Sequence, residues 1–216
     1  MTIPENLQLV RSKLPEHVEL VAVSKTKSNE EIMQAYEAGQ RVFGENKVQE
    51  LARKQEELPK DIEWHMIGHL QRNKVKYLAS FVSLIHGVDS LKLLREINKQ
   101  GQKNQRVIPC LLQMHIAMES SKFGLNREEL DEILDLEELE HIKLVGLMGM
   151  ATFTPDMEQV RKEFAFLSSI FEYCQTKRSD FNILSMGMSG DYQIAIEEGS
   201  NMVRIGSSIF GARNYQ

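Results

Sequence analysis

Cysteine is scarce. The 216 residues hold two, Cys110 and Cys174, and neither lies in a CxxC pair or another metal-binding spacing. A cysteine metal centre is therefore not expected, and both thiols read as reduced packing residues. Long apolar runs are absent as well: none approaches the ~20 residues that span a bilayer. The opening MTIPENLQLV has no basic stretch followed by an apolar one, as a secretion signal would. Basic excess is missing. The net charge of −5 and pI near 5.8 give no global electrostatic case for nucleic acid or an anionic membrane as partner. No Pro/Gly/Ser linker or low-complexity tract interrupts the chain, and no carboxylate cluster sits at metal spacing. These absences lead to the expectation of a soluble cytoplasmic protein, one domain over residues 1–216, that works as a monomer without a metal ion.

What is present is a hydrophobic fraction of 42%, enough for a sizeable core, and a regular alternation. The stretch ELVAVSKT (19–26) is a short apolar run ended by Lys25, as in a buried parallel strand. Before it, Leu7, Val10 and Leu14 are spaced as one face of a helix over 5–14, which stops at Pro15. Further strands are predicted at 41–44, 62–68, 82–88, 106–116, 141–150, 181–187 and 202–206. Helical stretches fall between them, among them a polar helix over 45–58, a helix over 71–80, an acidic one within 125–139 and the longest at 158–177. The first strands begin about 21 residues apart, one strand–helix unit each. Eight such units after an extra N-terminal helix predict an α/β fold, a (β/α)8 TIM barrel. An open doubly wound sheet is the alternative. The missing G-x-G-x-x-G after the first strand counts against its dinucleotide-binding form.

In a barrel the strand ends share one mouth, where function collects. Here they bring Lys25, Asn46, His65, His69, His86, His115, Thr152, the segment 185–190 and Arg204 to Ser207. A lysine partly withdrawn from water has its charged form disfavoured, and its neutral amine attacks aldehydes. Ser189 and Gly190 precede one short helix, and Gly206 and Ser207 start another. Helix starts offer free N–H groups to an anion, and barrels commonly hold phosphate after strands seven and eight. Lysine plus phosphate site leaves two ligand classes: a sugar phosphate in a Schiff-base aldolase, or pyridoxal phosphate.

The motifs AVSKT (22–26), FGENKVQE (43–50), WHMIGHLQRNK (64–74), IHGVDS (85–90), GLMGMAT (146–152), LSMGMSGD (184–191) and VRIGSSIFG (203–211) cover nearly the whole chain. In this order and spacing the chain resembles the pyridoxal phosphate homeostasis protein family, short relatives of the alanine racemase N-terminal barrel. The resemblance implies that Lys25 holds pyridoxal 5′-phosphate as a Schiff base and that Ser189, Gly190, Gly206 and Ser207 hold its phosphate. It implies that Arg204 faces the pyridine nitrogen, that Asn46 lines the cofactor, that Met186 packs near it, and that Lys122 lies near the mouth. His65 reads as a structural histidine. Two positions depart from the family: Lys47 stands where tyrosine or arginine is expected, and Ser207 where threonine is common. Function is then expected to be cofactor homeostasis without efficient catalysis, with pyridoxal phosphate-dependent apoenzymes as further partners. A racemase-like enzyme is the alternative. The opposite-face base of alanine racemase is, by resemblance, a tyrosine of a second domain, and with Gln216 a few residues past the eighth strand that domain is not expected here.

Overall fold

The first helix, α1 (Ile3–Arg11), starts earlier than its apolar spacing predicts, because Thr2 and Pro4 set its start. The Thr2 side chain accepts from Glu5 N, and Glu5 returns a bond to the Thr2 N–H, a reciprocal cap. After it, the computed structural model alternates strand and helix, and it describes residues 1–117, 123–136 and 139–211. The order is β1 (Glu19–Val23), α2 (Asn29–Glu37), β2 (Val42–Glu45), α3 (Val48–Glu57) and β3 (Glu63–Met66). A 3₁₀ helix (Arg72–Tyr77), β4 (Leu84–Val88), α4 (Leu91–Lys103), β5 (Ile108–Gln113) and α5 (Arg127–Leu134) follow. The chain then runs through β6 (Ile142–Met148), α6 (Met157–Lys177), β7 (Ile183–Met188), α7 (Tyr192–Glu197), β8 (Met202–Ile205) and α8 (Ser207–Phe210). The helix predicted over 71–80 is this short 3₁₀ turn. No side chain caps its start at Gln71, and β4 follows within seven residues, so the backbone tightens rather than forming a longer α-helix.

All eight strands are parallel and close in sequence order, β8 pairing back onto β1 from Glu19↔Met202 to Ala22↔Ile205. Closure leaves none of these described strands with an open edge. Two apolar layers result. Val21, Val42, Ile67, Leu84, Leu111, Val145, Met148 and Met202 form a small cluster inside the barrel. A larger one, including Phe43, Trp64, Phe164, Leu167 and Phe181, fills the space under the helices. Alternate strand residues point to opposite faces, so each strand feeds both layers. A shift in register between Ser185 and Met188 bends the end of β7. Gly187 makes that bend possible: its φ is +95°, and a Cβ there would lie 2.6 Å from the Cβ of Ala195 on α7.

Candidate functional site

Lys25 stands two residues beyond β1, half-buried, where the strand opens to the barrel mouth. The neighbouring Lys27 is occupied elsewhere. Its Nζ donates to Phe210 O at 2.9 Å and pairs with Glu31 at 3.1 Å, closing the end of α8. Across the barrel seam, Gly206 packs on the end of β1; a Cβ there would be 3.2 Å from both Val23 Cβ and Val23 O. The loop after β8 and the lysine after β1 are thereby adjacent. Asn46 follows β2 directly and is half-buried. Gly68, after β3, lies so close that a Cβ would meet Asn46 O at 2.6 Å, so only glycine permits the two strand ends to approach in this way.

The two loops expected to take a phosphate are tied together: Gly206 N–H donates to Ser189 Oγ at 3.3 Å. Asp191 Oδ1 accepts from Met188 N–H at 2.5 Å and fixes the turn into α7. Intrahelical bonding begins with Ala195 N–H to Asp191 O in α7, and with Ile209 N–H to Gly206 O in α8. The N–H groups of Tyr192, Gln193 and Ile194, and of Ser207 and Ser208, precede the first such bond and have no acceptor within their helix. Ser207 is exposed, and the space where a Gly190 side chain would sit is open. This donor set fits an anion. The Met186 side chain is fully buried in the helix-facing layer, because it alternates with Ser185, which points inside the barrel.

Inside the barrel runs a polar chain in an otherwise apolar setting. Arg204 Nη1 donates to Ser185 Oγ at 2.6 Å and Nη2 to Gly149 O at 3.0 Å. Ser185 Oγ lies 3.1 Å from His86 Nδ1, and His86 Nε2 lies 3.1 Å from His65 Nδ1. Burial lowers the Arg204 pKa to about 10, partly countered by the charge of Asp191, and the group stays ionised at neutral pH. Burial also pushes His65 down to about 3. His86 is driven well below its ordinary value by burial, then by His65 and Arg204. Both rings are neutral, each with one N–H. Donation can then run in one direction, from Arg204 to Ser185, to His86 and to His65 Nδ1, which places the His65 proton on Nε2.

Of the other strand-end candidates, Thr152 is held to Glu163 of α6 through N–H and Oγ1, at 2.6 and 2.7 Å. His69 pairs with Asp89 at 2.9 Å and stacks on Phe123. Lys47, at the start of α3, is exposed and makes no side-chain cap. Lys122 lies outside the described residues. Sequence reading missed one residue altogether. Lys54, on the helix taken as polar, is fully buried and bonded to Glu45.

A closed parallel barrel with a lysine after β1, beside an anion-ready loop after β8, belongs to the class described as "Alanine racemase, N-terminal domain", whose family matches residues 2–214. Within that class, the chain belongs to the pyridoxal phosphate homeostasis protein family. It is 38% identical to the pyridoxal phosphate homeostasis protein of Vibrio alginolyticus, over 99% of each chain. PipY of Synechococcus elongatus PCC7942, solved without pyridoxal phosphate, superposes with a TM-score of 0.93 at 35% identity, over 97% of this chain and 100% of that one. With pyridoxal phosphate bound, PipY superposes at 0.89 and 34%, with the same coverage. The alanine racemase of Clostridium difficile 630 shares the fold, at a TM-score of 0.80 and 16% identity; all of this chain covers 58% of that one.

Proposed function

We propose that this chain binds pyridoxal 5′-phosphate at the barrel mouth and holds it on Lys25, serving cofactor homeostasis rather than efficient catalysis. The observation that carries this reading is the seam: β1 and β8 pair, so the loop carrying Ser207 lies against the strand that presents Lys25. Ser189, Gly190, Ser207 and the first turns of α7 and α8 would take the phosphate. Asn46 would border the ring, and Arg204 would meet its nitrogen from inside the barrel. Met186, with its side chain in the helix-facing layer, would border this site only through its backbone. When bound, the cofactor supplies an aldehyde that a neutral amine attacks. Lys25 Nζ would bond to the aldehyde carbon, and the aldehyde oxygen would leave as water with both amine protons. The bound structure of PipY, which shares the fold along nearly the whole chain, supports the same reading. We assign the site to a monomeric cytoplasmic domain that exchanges cofactor with dependent apoenzymes.

The test is a visible absorption spectrum of the purified protein with pyridoxal phosphate, followed by borohydride reduction and peptide mapping. The label is expected on Lys25, and Lys25→Ala should remove the visible band while the phosphate contacts retain weak binding. A reduced label on another lysine of the unmutated protein overturns the assignment.

A further inference from the structure

Lys54 is 0% exposed on a helix whose Arg53, Glu56 and Glu57 face water. A buried ammonium is costly unless paired and hydrogen-bonded, and Lys54 commits all three donors. Its Nζ donates to Ser24 O at 2.9 Å, to Glu45 Oε1 at 2.8 Å and to Glu50 Oε1 at 2.7 Å. Each carboxylate oxygen then holds a second group. Glu45 Oε1 accepts from Ser24 Oγ at 2.6 Å, and Glu50 Oε1 accepts from the Thr26 N–H at 2.7 Å. Ser24 and Thr26 are the residues on either side of Lys25. The cluster therefore grips the chain immediately before and after the lysine.

Thr26 supplies a second, independent observation. Its φ is +65°, a left-handed conformation that a β-branched residue rarely adopts. Such a conformation persists where surrounding contacts over-determine it, and it clusters at functional sites. The acceptor on Glu50 is that contact. The cluster is also poorly built for stability alone. Glu45 Oε2 is buried without a hydrogen-bond partner, and a buried ion pair generally adds no more stability than apolar side chains of the same volume.

We infer that Lys54, Glu45 and Glu50 are positioning residues that fix the peptide on both sides of Lys25 and so aim its amine. The inference rests on the reading that Lys25 bonds the cofactor. Two variants separate the flanks. Glu50→Ala removes the acceptor from Thr26, and Glu45→Leu combined with Lys54→Met removes both bonds to Ser24. Each is mixed with pyridoxal 5′-phosphate, the growth of the visible band is timed, and melting is followed in parallel. Both are expected to melt within about 4 °C of the unmutated protein and to react at least about tenfold more slowly, inside the roughly 100-fold cost of a 1 Å misplacement. Glu50→Gln, which keeps an oxygen for the Thr26 N–H, should recover most of the rate. Unchanged rates in folded variants, a Glu50→Gln as slow as Glu50→Ala, or outright unfolding of both variants would each overturn the positioning role. If the unmutated protein carries its reduced label elsewhere than Lys25, the cofactor reading fails first. A label on Lys25 with unaffected variants sinks the positioning role alone.

Discussion

A row of neutral rings beside a permanent cation makes single residues sensitive to acid. Unfolding returns His65 and His86 to water and to an ordinary pKa near 6.5. Between that value and about 3, the unfolded chain binds the His65 proton and the folded chain does not. His86, depressed in the same direction, adds to the effect. Stability therefore falls as pH falls, by about 1.4 kcal/mol per pH unit for each histidine once the medium is below 6.5. Glu45 acts in the opposite sense. Burial raises its pKa above the ordinary carboxylate value, against the pull of Lys54 and Ser24, so its contribution declines as pH rises from about 4.5. Urea unfolding between pH 7.5 and 4.5 should show the histidine slope dominating, and His65→Gln with His86→Gln should flatten it. Equal slopes in the two proteins would mean that the buried rings are already charged in the fold. None of this chain was legible beforehand as a network. The sequence places His65, His86, Ser185 and Arg204 on four strands, but only closure and register put them in one file inside the barrel.

At the scale of elements, the proposed site gives the short helices α7 and α8 the task of preferring a phosphorylated ligand. Each offers N–H groups that lack intrahelical acceptors, joined by the hydroxyls of Ser189 and Ser207. A hydrogen bond to a charged oxygen is worth roughly 1.5–3 kcal/mol. Losing even one weakens binding about tenfold, since ~1.4 kcal/mol already gives that factor. Pyridoxal without its phosphate should bind at least that much more weakly in a direct titration with Lys25→Ala, where the covalent bond is absent. Equal affinities would remove the phosphate role from α7 and α8. These helices were legible because Ser/Gly before a short helix has a local chemical meaning. The eight-unit alternation was legible for a similar reason, each apolar run being bounded by polar sequence. Lys54 was not, because a lysine among Gln, Glu and Arg on an amphipathic helix reads as solvated. Its burial depends on Glu45 and Ser24 arriving from two other elements. Met186 lies in the helix-facing layer by parity: adjacent residues on β7 face different layers, and Ser185 takes the inner one.

For the molecule as a whole, the proposed role in holding a cofactor predicts that an amino acid is turned over slowly. Racemisation removes the Cα proton on one face of the bound substrate and returns it on the other. Lys25 can serve one face. Tyrosine is, by resemblance to alanine racemase, the group for the opposite face. Among the described residues Tyr36, Tyr77 and Tyr173 lie on the outer helical layer, and Tyr192 is buried at the start of α7. Loss of a positioned acid or base typically costs 10²–10⁴-fold in rate. Arg204 adds a second limit. Its pKa, lowered by burial to about 10, still leaves it cationic at neutral pH, and a cation facing the pyridine nitrogen disfavours a proton there. An unprotonated ring is a weaker sink for the electrons released at Cα. The two effects act on the same step, so their costs combine. Cofactor-loaded protein incubated with L-alanine in deuterated water should accordingly show proton exchange at Cα far slower than about 1 s⁻¹, the lower end of ordinary enzyme turnover. Exchange at or above that rate would make the barrel a catalyst in its own right and displace the homeostasis reading of its site.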